Sequence, residues 1–191
     1  MKLGQYKARL GTQLHKIIEN YIVDNIDDIS KKEAINVEYD ISNRSNFTKV
    51  EDFCFYDEFY HFKEWFKTKN YKIEKVEWKI KCKKLHLSGI VDCVIEDLDY
   101  KSEFKKETNF KHSIIIDWKR TDKDLENEPF KEYCKIKPFN KIKDNKLGRY
   151  TVQMNLYKHM IETENPEIKI TGLLLVQISS YGVKEIAIEM V

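Results

Sequence analysis

Four short signals in this chain bring together residue types that could do chemistry. They are an isolated helical histidine (His15), Gly89-Ile-Val-Asp92, Asp117-Trp-Lys119 and Gln153-Met-Asn-Leu-Tyr157. The residues 114–119, Ile-Ile-Ile-Asp-Trp-Lys, carry the sharpest of these. Three β-branched apolar residues run directly into an acid, an aromatic and a base, the pattern of a buried strand with a charged end. Side chains alternate across a strand, so Asp117 and Lys119 project to one face while Ile116 and Trp118 project to the other. A carboxylate and an ammonium placed there are costly unless something uses them. A carboxylate can hold a divalent cation, and a lysine beside it can orient or deprotonate a water. An isolated D-x-K is more commonly a strand leaving the core through a salt bridge, so the remaining residues must decide.

Asp92 presents the same problem one strand earlier. In Leu85-His-Leu-Ser-Gly-Ile-Val-Asp-Cys-Val-Ile95 the residues Ile90, Asp92 and Val94 share a face, which leaves an acid among apolar neighbours and in need of a partner. Before it, Val76, Trp78, Ile80 and Cys82 alternate with Glu77, Lys79 and Lys81, a strand with one wet face. Glu77 falls on that lysine-bearing face and reads as solvated, with a further acidic role at the site as the alternative. The two runs pair as a hairpin through Lys83-Lys84.

Helices must supply the rest. Leu10, Leu14, Ile17, Ile18, Tyr21 and Ile22 form one apolar stripe over residues 8–24. His15 lies at its edge, with Gly11 one turn earlier leaving room beside the imidazole. Taken alone, such a histidine is more often packed than ligating. A second aromatic helix follows from Phe55, Phe59, Phe62 and Phe66, with Trp65 alongside, and reads as a face docked on a core rather than a base-stacking platform.

A third helix is expected over residues 149–162. Its buried arc takes Leu156, Met160, Tyr157, Tyr150, Ile161 and Met154, with Gln153 near the middle, and its wet side takes Thr151, Asn155, Lys158 and Glu162. A glutamine on a buried face must hydrogen-bond something specific, since an unpaired buried amide costs about 1–3 kcal/mol. Two alternating runs, 168–179 and 183–190, close the chain as a hairpin.

The expected fold is therefore α/β (α+β): a mixed central β-sheet with strands near 75–83, 86–96, 112–119, 169–179 and 183–190, flanked by helices. A short strand around Val37, Tyr39 and Ile41 is added in the otherwise weakly patterned residues 24–50. The charged residues 97–111 read as a hairpin extension. The long polar connection 120–148 is of a length that in compact domains is functional or disordered.

Length and composition set the frame. With 191 residues, 41% hydrophobic and 35% charged, the chain suits one domain spanning 1–191 with a substantial core. Its net charge of +2 means that nucleic-acid binding must come from local clusters such as residues 79–84 and 135–149. The four cysteines include no C-x-x-C pair, which argues against a zinc ribbon. The first residues lack a signal-peptide pattern and no apolar run reaches spanning length, so an intracellular protein, cytoplasmic or nuclear and not secreted, is expected, without membrane association.

Taken in order, His15, Gly89-x-x-Asp92, Asp117-x-Lys119 and Gln153-x-x-x-Tyr157 resemble the PD-(D/E)XK nuclease superfamily, and within it the RecB-like exonuclease branch, over about residues 10–179. The resemblance implies a restriction-endonuclease-like core and a Mg²⁺- or Mn²⁺-dependent deoxyribonuclease, of exonuclease type, acting on DNA ends in replication, recombination or repair alongside other proteins of those processes. It also implies roles. Asp92, Asp117, His15 and the backbone carbonyl of Trp118 would hold the metal, and manganese should serve beside magnesium because imidazole is a softer ligand than oxygen. Lys119 would position or activate the attacking water, and Gln153 and Tyr157 would support it from the helix. Arg120, Lys146, Arg149 and Gln153 would contact nucleic acid.

Two departures from relatives in this branch matter. Some carry an iron–sulfur cluster held partly by late cysteines, whereas here no cysteine follows Cys134, so no cluster is expected. No helicase portion is present in this sequence. Two other functions compete. One is an RNA endonuclease of the cap-snatching type, disfavoured because the lysine follows the second acid so closely. The other is a catalytically inactive nucleic-acid-binding subunit, disfavoured because both acids and the lysine are present.

Overall fold

A computed structural model describes residues 3–24, 35–40, 48–53, 56–100 and 110–191 of the chain. These fall into two compact units. One comprises Met1–Lys69 with Ile178–Val183, and the other Asn70–Gln177 with Lys184–Val191.

In the first unit, helix α1 (Leu3–Asp24) buries Leu10, Leu14 and Ile18, the centre of the expected stripe. Helix α2 (Tyr56–Lys67) follows a two-stranded antiparallel ribbon, β1 (Ile35–Asp40) and β2 (Thr48–Phe53), paired from Ile35↔Phe53 to Asp40↔Thr48. The aromatic spacing in α2 serves packing. Tyr21 of α1 meets the Phe59 ring edge-on at 5.5 Å, and Phe62 stacks on Phe66 at 5.5 Å, with Phe59 and Phe62 buried. The ribbon partner β2 was not expected, because its Thr48-Lys-Val-Glu-Asp-Phe53 sequence mixes charge with few apolar residues.

The second unit carries most of a five-stranded sheet in the order β3-β4-β5-β6-β7. Strands β3 (Ile73–Cys82) and β4 (Leu87–Glu96) form the expected antiparallel hairpin, closed by a turn in which His86 takes φ +52° and its N–H bonds Lys83 O. Strand β5 (Lys111–Arg120) pairs antiparallel with β4 from Glu96↔Ser113 to Cys93↔Ile116. The connection between those strands, expected as a hairpin extension, falls at 101–109 outside the described residues.

Helix α3 (Lys146–Glu164) then leads to β6 (Ile168–Ser179) and β7 (Gly182–Ala187). Contacts between β5 and β6 climb together: Lys111 N–H to Glu167 O, Thr171 Oγ1 to Ser113 O, and Gln177 Nε2 to Thr121 O. The two strands are therefore parallel, and α3 is the crossover that parallel neighbours require. β7 returns antiparallel, since Ser179 bonds Gly182 and Leu173 bonds Ile188. Ile80, Val91, Ile115, Met154, Ile161 and Leu175 belong to one core, each worth about 1.5–3 kcal/mol of burial where fully enclosed.

Two expectations for α3 need correction. The helix starts at Lys146, a turn earlier than 149, because Asn145 caps it: its Oδ1 accepts the Gly148 N–H at 2.9 Å, while its own amide reaches Glu128 O. Thr151 and Asn155 were assigned to the wet side, yet both are buried. The end of the chain meets Asn155, whose Nδ2 donates to Glu189 O and whose Oδ1 accepts the Val191 N–H, while Thr151 Oγ1 donates to Leu147 O within the helix.

The connection 121–145 is an organised ribbon rather than a disordered one. Leu125 is fully buried, Gln177 Nε2 donates to Thr121 O and Lys123 O, and the Tyr133↔Lys143 bridge is flanked by bonds from Cys134 N–H to Ile142 O and Asp144 N–H to Glu132 O. Among the described residues no helix is long and apolar enough to cross a membrane.

Candidate functional site

The strand pattern predicts that Asp117 and Lys119 share a face, and the structure agrees: Lys119 Nζ stands 2.6 Å from Asp117 Oδ2. One step past the last couple of the β4–β5 ladder, Cys93↔Ile116, the register carries Asp92 to the level of Asp117. There the ladder gives way to a side chain, since Asp92 Oδ2 accepts the Trp118 N–H at 2.9 Å. Two carboxylates thus meet at one point of adjacent strands, 5% and 1% exposed.

Burial disfavours their ionised forms. It pushes Asp92 well above the usual carboxylate range, and the neighbouring Asp117 charge pushes further, against the opposing pull of Lys119 and the Trp118 N–H. Asp117 is also raised by burial, with Lys119 holding it back. For Lys119 burial acts downward, but the charges of Asp117 and Asp92 outweigh it and the ammonium ends above its ordinary value. It is therefore protonated at neutral pH, a donor of charge and hydrogen bonds rather than an acceptor of protons.

Helix α3 lines the same site. Lys119 Nζ lies 5.2 Å from the centre of the Tyr150 ring, within cation–π reach. Gln153 Nε2 donates to Tyr157 Oη at 2.8 Å, which gives the half-buried amide the partner its position demanded. Burial raises the Tyr157 hydroxyl, with the Gln153 bond acting against it and the charges of Asp117, Lys119 and Asp92 also felt. Gly89, three residues before Asp92, has a physical reason to be glycine: a Cβ there would stand 2.5 Å from Tyr157 Cε1.

Glu77 departs from the solvated role given to it. It is half-buried, takes φ +46°, and its charge adds to the upward push on Asp92. The β3–β4 register runs unbroken from Val76↔Cys93 to Cys82↔Leu87, so Glu77 stays on the face of Lys79 and stands opposite Asp92, held there in left-handed backbone. Such backbone costs about 1–3 kcal/mol at a non-glycine residue and collects at functional sites.

The second unit therefore brings together Asp92, Asp117, Trp118, Lys119, Gln153 and Tyr157. His15 belongs to the first unit, half-buried on α1. The residues expected to touch nucleic acid differ in setting. Arg120 ends β5 and is half-buried, Lys146 is exposed at the first turn of α3, and Arg149 is exposed but forked onto Asp144 Oδ1 through Nε and Nη2. Tyr150 is the residue that pattern analysis missed as a site group. It was placed on the buried arc, and nothing in its spacing signals that Lys119 reaches across to it.

A divalent cation fits the donors in this unit. Asp117 Oδ2 is fully buried, with the Lys119 ammonium 2.6 Å away beside it. Two carboxylates share one ammonium, so a second positive charge would relieve their repulsion. Oxygen donors of this kind suit Mg²⁺ and Mn²⁺. No protein-family model matches the chain, and no curated protein matches it.

Proposed function

We propose that the chain is a metal-dependent nuclease that hydrolyses phosphodiester bonds of DNA. The observation that carries this is the buried pair Asp92 and Asp117, raised by burial and answered by a single lysine at 2.6 Å. Such a pair costs stability unless a cation completes it. Asp92 and Asp117 would hold Mg²⁺ or Mn²⁺, with His15 and the Trp118 carbonyl as the further ligands that the resemblance implies. The ion would supply Lewis acidity toward the scissile phosphate and greater acidity to water.

The chain's own groups supply the rest. Lys119, kept charged, orients the attacking water and offsets negative charge on the phosphoryl oxygens. Tyr150 and the Gln153–Tyr157 pair fix that lysine's surroundings from α3. Arg120, Lys146 and Arg149 contact the backbone of the nucleic acid. The order of β3, β4, β5, α3 and β6, with acids on β4 and β5 and the glutamine on α3, supports a restriction-endonuclease-like core of the RecB-like branch. The short D-x-K spacing favours DNA over RNA.

The test is incubation with end-labelled single- and double-stranded DNA and RNA in Mn²⁺, Mg²⁺ or EDTA. We expect cleavage of DNA with either metal, none in EDTA, and none by Asp117→Ala. Cleavage in EDTA, or by Asp117→Ala at the wild-type rate, would refute the proposal.

A further inference from the structure

The ribbon before α3 is the most cationic part of the second unit. Between residues 130 and 149 stand seven basic residues (Lys131, Lys135, Lys137, Lys141, Lys143, Lys146, Arg149) against two acids (Glu132, Asp144), in a chain whose net charge is only +2. The two acids are spent on Lys135 at 2.9 Å and Arg149 at 3.2 Å. No acid among the described residues forms an ion pair with the exposed Lys137, Lys141 or Lys146.

Within this cationic ribbon is a cleft of about 380 Å³, lined by the apolar Tyr133, Ile136, Ile142 and Val152 and by Lys135, Lys143 and Arg149 alongside the two paired acids. That volume lies in the range of small-ligand sites. Tyr133 is 51% exposed and Ile136 70%, a large apolar exposure for residues in an ordered ribbon. Tyr133 is held in place. Its backbone bridges Lys143, its ring meets Phe130 edge-on at 5.1 Å, and Lys143 Nζ lies over the Phe130 ring at 4.9 Å. Arg149 and Val152 of the cleft interleave along α3 with Tyr150 and Gln153 of the acid–lysine site, so both share the first turns of one helix.

We propose that this cleft is a base-binding subsite for single-stranded nucleic acid. One unpaired base stacks on Tyr133 above the aliphatic walls, and the surrounding lysines take the adjoining phosphates. The charge selects the ligand, because an apolar peptide would leave the lysines unanswered and a neutral small molecule would use half of the surface. A base inside a duplex cannot enter, since both its faces are already stacked and its edge is paired. The inference rests on the nucleolytic reading for its purpose: strand held at the cleft is delivered past Tyr150 toward Lys119.

The test measures binding by fluorescence anisotropy in EDTA for wild type, Tyr133→Ala and Ile136→Ala. The probes are an oligothymidylate strand, an abasic strand of equal length and a duplex, and the wild type is assayed in parallel for cleavage of the strand in Mn²⁺. Both side chains are exposed, so folding should be retained and far-ultraviolet circular dichroism unchanged. Tyr133→Ala should bind oligothymidylate at least about fivefold more weakly, the range of one lost base stack, Ile136→Ala should lose a smaller factor, and both should bind the abasic strand as the wild type does. Equal binding of oligothymidylate by all three proteins, or an equal loss on the abasic strand, overturns the subsite while wild-type cleavage keeps the nucleolytic reading. Weakened binding by the variants without any wild-type cleavage overturns the nucleolytic reading and keeps the subsite.

Discussion

Two acids meet one lysine at two places in the second unit, and the outcomes are opposite. At the end of β5, Asp92 and Asp117 face Lys119 with side chains almost shut off from water: 19% exposed for Lys119 and 2% for Asp117. In the connection after β5, Asp124 and Glu126 face Lys184 at 3.3 and 2.6 Å, all three side chains being 45–48% exposed. Asp124 is lowered, first by the Asn127 amide and then by Lys184. Asp92 and Asp117 are raised, because burial outweighs everything else around them. The same three charges are thus a solvated cluster in one place and a buried one, with its carboxyls raised, in the other. Composition cannot distinguish them; the surrounding solvent does.

The contrast is broken most severely at Lys119. Lys119→Ala should lower the cleavage rate about 10²–10⁴-fold, the contribution typical of a group that assists proton transfer or water positioning. Calorimetric titration should show nearly unchanged Mn²⁺ affinity, because lysine is not a ligand and its loss removes a competing positive charge. The same change leaves Asp117 buried without its ammonium, so metal-free protein should lose on the order of 3 kcal/mol, measured by urea unfolding. If Lys119→Ala cuts normally but binds DNA tenfold more weakly, the lysine is a phosphate clamp and its assigned role is wrong.

A smaller effect is expected at Tyr150. Replacing it with Leu removes the ring beneath the Lys119 ammonium and should reduce kcat about tenfold, in keeping with a cation–π contact of about 0.5–2 kcal/mol. Tyr150→Phe keeps the ring and should restore the rate. Equal loss in both variants would point to the hydroxyl instead. Smallest of all, Lys184→Ala should leave thermal midpoint and cleavage unchanged within error; a clear loss of either would erase the distinction drawn between the two clusters.

Much of the site was legible because it rests on strand alternation. A period of two puts Asp117 beside Lys119 whatever else the chain does, and an acid flanked by apolar residues flags Asp92. The helical wheel was less reliable. It left Asn155 in water because the partner that buries it, the backbone of Glu189 and Val191, is more than thirty residues away and carries no local signal. Glu77 was misplaced for a different reason: it does share the face of Lys79 and Lys81, but the register sets it opposite Asp92 at the less exposed end of that face. The ribbon at 121–145 reads as a polar loop because its order comes from Leu125 and from the Gln177 amide on a later strand. Gln177 interrupts the apolar run from Leu173 to Ile178 in the sequence, which gives no clue to what it holds.

The claim at the centre is that Asp92 and Asp117 are kept at a cost because a cation completes them. Thermal unfolding of wild type and Asp92→Asn, in EDTA and in Mn²⁺ across pH, tests it directly. Asparagine can still accept the Trp118 N–H while removing one charge. A carboxyl raised in the folded state binds its proton more tightly there than in the unfolded chain, so metal-free wild type should lose stability as pH climbs from the ordinary carboxylate range through the raised value. Asp92→Asn should lose less over that window and be at least as stable at neutral pH, each kcal/mol gained appearing as about 2–4 °C. Mn²⁺ should raise the wild-type midpoint and leave that of Asp92→Asn nearly unmoved. A wild type more stable than Asp92→Asn in EDTA at neutral pH, together with equal shifts of both by Mn²⁺, would contradict the account.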